Sequence, residues 1–317
     1  MTQPSQQPDV VICECFCRDG LQHEPAIVPT DVKTDLVNRF TALGFQRIEA
    51  TSYSNPAVIP QFADASELLA RINPCSGVYY KATCPNPRAV QRALNDLQAG
   101  RGANEISMLV SASESHSNRN LKRSRDDQWR NVAEMSSLAA GQFRLIGTIS
   151  VAFGCPFEGR VDPATVIEDA IRFWNYGVRD ITLGDTTGMA TPHTVRDVFT
   201  ALQRELPEAN FIAHFHDSRG TAIANCVAAL EAGVRYFDAA IGGVGGHPAK
   251  VQYGGGYTGN VCTEDLVDLL EAMGVRTGID IVGLIEAGQH CETVLDRKLA
   301  SHVTHTGSNP LRPTVVV

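Results

Sequence analysis

Eight times in succession a short β-like apolar run is followed by a segment whose apolar residues recur at helical spacing. That alternation is the strongest constraint on the fold, because strand-then-helix repeats call for a parallel sheet with helices on its faces. The first run, 10–15, leads through a polar loop to a helix over 29–43. There Val32, Leu36, Val37, Phe40 and Leu43 share a face, Thr30 is placed as N-cap and Gly44 ends the helix. The pairs continue as 47–51 with 63–72, 77–83 with 87–99, 105–112 with 126–140, and 144–151 with 163–176. Strand 180–183 precedes a helix opened by Thr191 as N-cap and Pro192 at its first position. Strands 210–216 and 236–240 are followed by helices 221–232 and 263–273. Eight units without a break in composition predict a closed (β/α)₈ TIM barrel of the α/β class. A doubly wound dinucleotide fold is disfavoured, since the turn after the first strand reads Phe16-Cys17-Arg18-Asp19-Gly20 and lacks a glycine fingerprint. A helix near 282–295 is expected to pack on the barrel as a short C-terminal extension. The whole chain, 1–317, then forms one catalytic domain, with 1–9 and 307–317 as flexible tails.

Composition narrows the setting. At 43% hydrophobic and 20% charged residues the chain is an ordinary globular one. Its apolar runs are too short to cross a bilayer, so no membrane partner is expected. The polar start, Met1-Thr2-Gln3-Pro4-Ser5-Gln6-Gln7-Pro8, lacks the apolar core of a signal peptide. Nine scattered cysteines, an odd number, do not form a disulfide framework and point to the reducing cytoplasm. A net charge of -8 with no dominant basic stripe argues against nucleic acid. One local basic stretch, Arg119-Asn120-Leu121-Lys122-Arg123-Ser124-Arg125, has two readings. It is either a solvated loop leading into a helix or a phosphate-binding element using Arg119, Lys122 and Arg123.

In TIM barrels chemistry sits at the C-terminal ends of the strands. Past the first strand come Arg18, Asp19, Gln22 and Glu24, and the second carries Glu49 and Thr51. The sixth ends in Gly184-Asp185-Thr186-Thr187, the seventh in His214-Phe215-His216-Asp217, and the eighth is followed by His247 and Asn260. His214 and His216 share a strand face by the two-residue alternation. Closure makes strands one, seven and eight neighbours, so Asp19, His214, His216 and Asn260 can meet. Two imidazoles, a carboxylate and an amide oxygen suit octahedral Mg²⁺ or Mn²⁺ better than a closed Zn²⁺ site. Structural readings stay open for the residues around them. Glu49 can pair with an arginine, Asp185 can cap the following helix, and Arg18 can simply neutralise Asp19. The glycines of 242–246 and 254–256 can make a flexible loop or a lid.

These residues also carry a family resemblance. The motifs are Arg18-Asp19-Gly20-Leu21-Gln22-His23-Glu24, Ile48-Glu49-Ala50-Thr51-Ser52, Gly154-Cys155-Pro156-Phe157-Glu158-Gly159, Leu183-Gly184-Asp185-Thr186, His214-Phe215-His216-Asp217, and the run from Thr258-Gly259-Asn260 to Leu266. Over about residues 11–295 the chain resembles the hydroxymethylglutaryl-CoA lyase group of metal-dependent TIM-barrel lyases and acyl-CoA synthases. The Cys-Pro-Phe-Glu-Gly element is similar to the CoA lyases rather than the synthases. The resemblance implies Asp19, His214, His216 and Asn260 as metal ligands, Arg18 as catalytic arginine, and Glu49 and Asp185 as acidic site residues. It also implies an acyl-CoA substrate and a homo-oligomer, a dimer or larger. One position departs from the family pattern. Where those lyases carry a catalytic cysteine in a Gly-Gly-Cys-Pro setting, this chain has Gly245-Gly246-His247-Pro248, in a loop lengthened by Lys250, Tyr253 and Tyr257. None of the nine cysteines stands in an equivalent place.

The implied reaction is retro-Claisen cleavage of 3-hydroxy-3-methylglutaryl-CoA to acetyl-CoA and acetoacetate. Asp185 or a ligand-side histidine is expected as base, Arg18 as enolate stabiliser and His247 as proton donor. The alternatives are a sister lyase, such as one cleaving citramalyl-CoA to acetyl-CoA and pyruvate, a condensing synthase, and a non-catalytic paralogue that binds acyl-CoA or metal. A synthase would carry a regulatory domain after the barrel. A mere binder would not need the charged set Arg18, Glu49 and Asp185.

Overall fold

Strand β1, Val11–Glu14, lies between β2, Arg47–Ser52, and β8, Tyr236–Ala239, in a closed parallel barrel described by a computed structural model. The structure describes residues 7–246 and 259–311. The other strands are β3 Tyr79–Thr83, β4 Glu105–Ser111, β5 Arg144–Ser150, β6 Asp180–Asp185 and β7 Asn210–Phe215, in sequence order around the barrel. An outer layer follows: α1 Thr30–Ala42, α2 Ala65–Arg71, α3 Pro87–Gln98, α4 Glu114–Asn120, α5 Arg125–Ala139, α6 Pro163–Asn175, α7 Pro192–Glu205 and α8 Ala222–Glu231. The helix after β8 is α9 Thr263–Ala272, and beyond the barrel come α10 Ile281–Leu295 and α11 Val303–Thr306, with α10 packed against α1 and α9. The expected TIM barrel with a helical extension is therefore the observed fold. None of the helices among the described residues is long and apolar enough to cross a membrane.

Alternation along each strand separates two environments. Ile181 and Leu183 of β6 join the apolar layer under the helices, whereas Thr182 and Gly184 line the interior. The same parity sends Lys81 and Thr83 of β3, Ser107 and Leu109 of β4, and Thr148 and Ser150 of β5 inward. At the opposite rim the first residues of four strands close the interior with charge. Arg47 donates from Nη2 and Nε to Glu105 Oε1 at 2.7 and 3.1 Å. Arg144 Nη2 donates to Asp180 Oδ1 at 2.6 Å, with its guanidinium 4.6 Å from the Tyr79 ring centre. Arg47 and Glu105 are fully buried, so Arg47→Met strands a carboxylate that Arg144, 3.5 Å away, only partly covers. A loss of about 3 kcal/mol is expected in denaturant unfolding, most of it recovered in Arg47→Met/Glu105→Leu. Equal loss in the double variant would refute the pairing argument.

Three local expectations change. Thr30 is the first residue of α1 rather than its N-cap, because its hydroxyl donates to Asp64 Oδ2 at 2.8 Å. The basic stretch does not begin as a loop: Arg119 lies on α4, started by Ser113, whose side chain accepts from the His116 N–H. Asp9, placed in a flexible tail, takes Arg276 Nη2 and Nε on its two oxygens at 2.6 and 2.9 Å. The start of α7 is as expected, with Thr191 and Thr194 in a reciprocal capping box and Pro192 at the first position.

Candidate active site

After β1 the Cys15 carbonyl accepts from the N–H groups of Arg18, Asp19 and Gly20, at 3.2, 2.9 and 3.1 Å. This π turn, Phe16–Gly20, places two successive charged side chains at the barrel mouth; such turns recur at functional sites. His214 and His216 leave β7 on one face, with their Nε2 atoms 3.2 Å apart. Asp19 Oδ2 lies 3.6 Å from His216 Nε2, and the ligand-type atoms of Asp19, His214 and His216 all fall within 4.8 Å of one another.

Asn260 arrives by a different route. The Val261 N–H donates to the Phe215 carbonyl at 2.9 Å, and the Val261 carbonyl accepts from the Ala240 N–H at 3.1 Å. The returning chain is thus held between the ends of β7 and β8, with Asn260 bridged to His216. Asn260 Nδ2 donates to Asp19 Oδ2 at 2.6 Å and to the Val244 carbonyl at 3.0 Å. Its Oδ1 is buried with no partner among the described residues. Gly245, at φ +138°, passes so close that a Cβ would lie 2.4 Å from Asn260 Nδ2 and 3.3 Å from Asp19 Oδ2. Only glycine fits there.

The four residues fit a divalent cation. Two facing imidazole nitrogens cannot both hold a proton at 3.2 Å, and the unpartnered amide oxygen is a ready ligand. Two imidazoles, a carboxylate and an amide oxygen are all ligands of divalent cations. Behind His214, Asp238 Oδ2 stands 3.4 Å from Nδ1, the arrangement that leaves Nε2 free toward the site. Burial works against the Asp19 carboxylate, but His216, Arg18 and His214 outweigh it and hold its pKa well below the usual range. Burial likewise lowers the pKa of His214, and Asp238 with Asp19 reverses this and raises it. Arg18 Nη1 donates to Asp19 Oδ1 at 2.9 Å, and its Nε lies 3.6 Å from Glu49 Oε1. Glu49 Oε1 also accepts the Thr83 hydroxyl at 2.7 Å.

The HMGL-like family model matches residues 9–290. The chain belongs to the HMGL-like family. It is 38% identical over 295 residues to the mitochondrial hydroxymethylglutaryl-CoA lyase of Rattus norvegicus, covering 93% of this chain and 88% of that one. It is 36% identical over 301 residues to the cytoplasmic 3-hydroxy-3-methylglutaryl-CoA lyase of Mus musculus, covering 95% and 85%. The structure is similar to an HMG-CoA lyase from Acinetobacter baumannii solved with coenzyme A and 3-methylmalate, with TM-score 0.89, 36% identity and coverage of 96% and 97%.

Within this HMGL-like site the Cys-Pro-Phe-Glu-Gly motif has a supporting part. Cys155 and Gly159 exchange backbone hydrogen bonds at 2.7 and 2.8 Å, and Glu158 Oε1 accepts the Ser115 N–H at 2.6 Å. Phe157 then sits 4.1 Å beneath the Arg119 guanidinium. The neighbouring Asn120 lines the cavity, whereas Arg119, Lys122 and Arg123 are not among its lining residues. Asp185 does not join the site. It ends β6 with outward parity, between Gly184 and Thr186 of the lining, and its oxygens accept the Met189 and Ala190 N–H groups at 2.7 and 3.0 Å. Burial pushes its pKa up to about 6, and the carboxylate organises the β6–α7 loop. His247, with Lys250, Tyr253 and Tyr257, lies outside the described residues.

Three buried charged residues in or behind this site, Lys81, Asp238 and Glu14, were not anticipated. Lys81 and Asp238 sit at inward parity in otherwise apolar strands, Tyr79-Tyr80-Lys81 and Tyr236-Phe237-Asp238, which was the available signal. Glu14 joins three elements: its Oε1 accepts the Phe16 and Ile241 N–H groups at 2.9 and 3.0 Å, and its Oε2 accepts the Thr263 hydroxyl at 2.7 Å. Burial pushes the Glu14 pKa up to about 8 from an ordinary 4.5. The native state therefore keeps a proton that the unfolded chain releases, so stability is highest below about 4.5 and falls as pH rises through about 8. Glu14→Gln keeps an acceptor for the two N–H groups and a donor for the hydroxyl. It should fold and flatten the melting temperature between pH 5 and about 8.5, and an unchanged slope would exclude Glu14 as its source.

Proposed function

We propose that this chain is a divalent-metal-dependent carbon–carbon lyase that cleaves 3-hydroxy-3-methylglutaryl-CoA to acetyl-CoA and acetoacetate. The observation carrying this reading is the convergence of Asp19, His214, His216 and Asn260 beside Arg18, in a chain so similar to hydroxymethylglutaryl-CoA lyases over nearly its full length. These four residues hold the cation. Mg²⁺ or Mn²⁺ bound there lowers the pKa of the substrate's tertiary hydroxyl. Arg119, Lys122 and Arg123, flanking the cavity-lining Asn120 in the chain, bind the CoA phosphates.

Glu49 takes the hydroxyl proton. It lines the cavity beside Arg18, whereas Asp19 belongs to the ligand set and Asp238 lies behind His214. The C2–C3 bond then breaks as the C3 oxygen becomes a carbonyl, and its electron pair passes to the acetyl-CoA enolate. Arg18 stabilises the negative thioester oxygen. His247 delivers the proton that converts the enolate carbon to a methyl group, in the place of the family's cysteine. Its neighbour Gly246 lines the cavity, which supports this role. Nine unpaired cysteines support a reducing, cytoplasmic setting, and light scattering is expected to give a dimer or larger.

The test is acetyl-CoA release from a panel of CoA thioesters, including citramalyl-CoA, with Mg²⁺ or Mn²⁺. Cleavage of 3-hydroxy-3-methylglutaryl-CoA should vanish with a chelator and return with metal. His247→Ala should lower turnover by ~10²–10⁴-fold, with His247→Cys less affected. Undiminished turnover of metal-free protein would sink the metal claim, and wild-type turnover in His247→Ala would remove the acid role.

A further inference from the structure

Lys81 is a buried ammonium within the barrel whose bonding is incomplete. It lines the cavity with only 3% of its surface exposed. Its Nζ lies 3.6 Å from both Glu49 Oε2 and Asp238 Oδ2, beyond hydrogen-bond reach, and it makes no hydrogen bond among the described residues. An ammonium can donate three, and buried polar groups in folded proteins are normally satisfied. Thr182, on the same lining, has a buried hydroxyl that also lacks a partner. Thr83, Ser107, Thr148 and Ser150 continue this polar wall, and among the described residues Leu109 is the single apolar side chain in the lining.

We propose that Lys81 is a specificity-determining residue that binds the free carboxylate of the acyl group, with the hydroxyl wall completing its hydrogen bonds. The cavity thereby selects dicarboxylic acyl-CoA thioesters over monocarboxylic ones. This rests on the lyase reading only in taking acyl-CoA as the ligand class.

The test is calorimetric binding of glutaryl-CoA and valeryl-CoA, equal in chain length and neither cleavable, to the full chain with Mg²⁺ and again after EDTA. Wild type should favour glutaryl-CoA by roughly 10-fold or more in both conditions. Lys81→Met should bring the two within about 2-fold while leaving the affinity for free CoA unchanged. A preference that persists in Lys81→Met, or that wild type shows only with Mg²⁺, overturns the assignment; the second result gives the carboxylate to the metal. If Lys81→Met does not fold, Lys81→Gln takes its place and should likewise bring the two thioesters within about 2-fold. Failure of wild type to bind either thioester overturns the acyl-CoA reading itself, a result distinct from tight binding without preference.

Discussion

Asp19→Ala should abolish Mn²⁺ binding, seen by calorimetry or by the Mn²⁺ spin-resonance signal, and lower turnover by at least ~10³-fold, equivalent to ~4 kcal/mol of transition-state stabilisation. The size follows from how much Asp19 holds. One oxygen accepts from Arg18 at 2.9 Å, the other accepts from Asn260 at 2.6 Å and faces His216 at 3.6 Å. Removing the carboxylate takes a proposed ligand from the cation, leaves Asn260 Nδ2 with the Val244 carbonyl alone and leaves Arg18 with Glu49 alone, 3.6 Å away. Asp19→Asn separates these effects, since it keeps the shape but brings an amide toward Asn260 Nδ2. It should lose metal nearly as completely. If Asp19→Ala binds Mn²⁺ as wild type does, the ligand set is wrong.

Arg18→Lys should leave Mn²⁺ affinity within a few-fold and yet lower kcat by ~10²–10³-fold. A guanidinium presents several donors in a plane, so Arg18 can hold Asp19 through Nη1 while Nε faces Glu49. Burial disfavours the charged form, but Glu49 and Asp19 more than compensate and raise its pKa. A lysine keeps the charge without the fixed fork. The expected signature is a fall in kcat with KM little changed, because the interaction matters most when charge develops on the thioester oxygen. Loss of metal affinity in step with kcat would instead mean that Arg18 acts by holding Asp19.

The barrel was legible because its signal repeats: eight apolar runs, each followed by a helical face, admit few closures. The meeting of Asp19, His214 and His216 follows from closure and the two-residue alternation. The approach of Asn260 needs more than strand order, since it depends on residues 260–262 pairing with the ends of β7 and β8. Reading strand ends alone also misled. Asp185 stands at such an end, but its parity turns it toward the Met189 and Ala190 amides. Lys81 and Asp238 lie deeper, where position along the strand gives no hint and only inward parity does. Glu14 was invisible, because two of its three partners come from residues more than 200 positions away.

The interior charges bear on how such a barrel can change over generations. From the closed rim to the mouth they meet in succession: Arg47 with Glu105 and Asp238, Lys81 with Asp238 and Glu49, Arg18 with Glu49 and Asp19. Each member serves two neighbours, so neutralising one leaves a buried charge uncompensated on either side. A lineage acquiring a new substrate through Lys81 therefore cannot proceed by lone replacements. Its route runs through simultaneous or compensated exchanges at Glu49 or Asp238, and those positions should drift together while the helices outside vary independently.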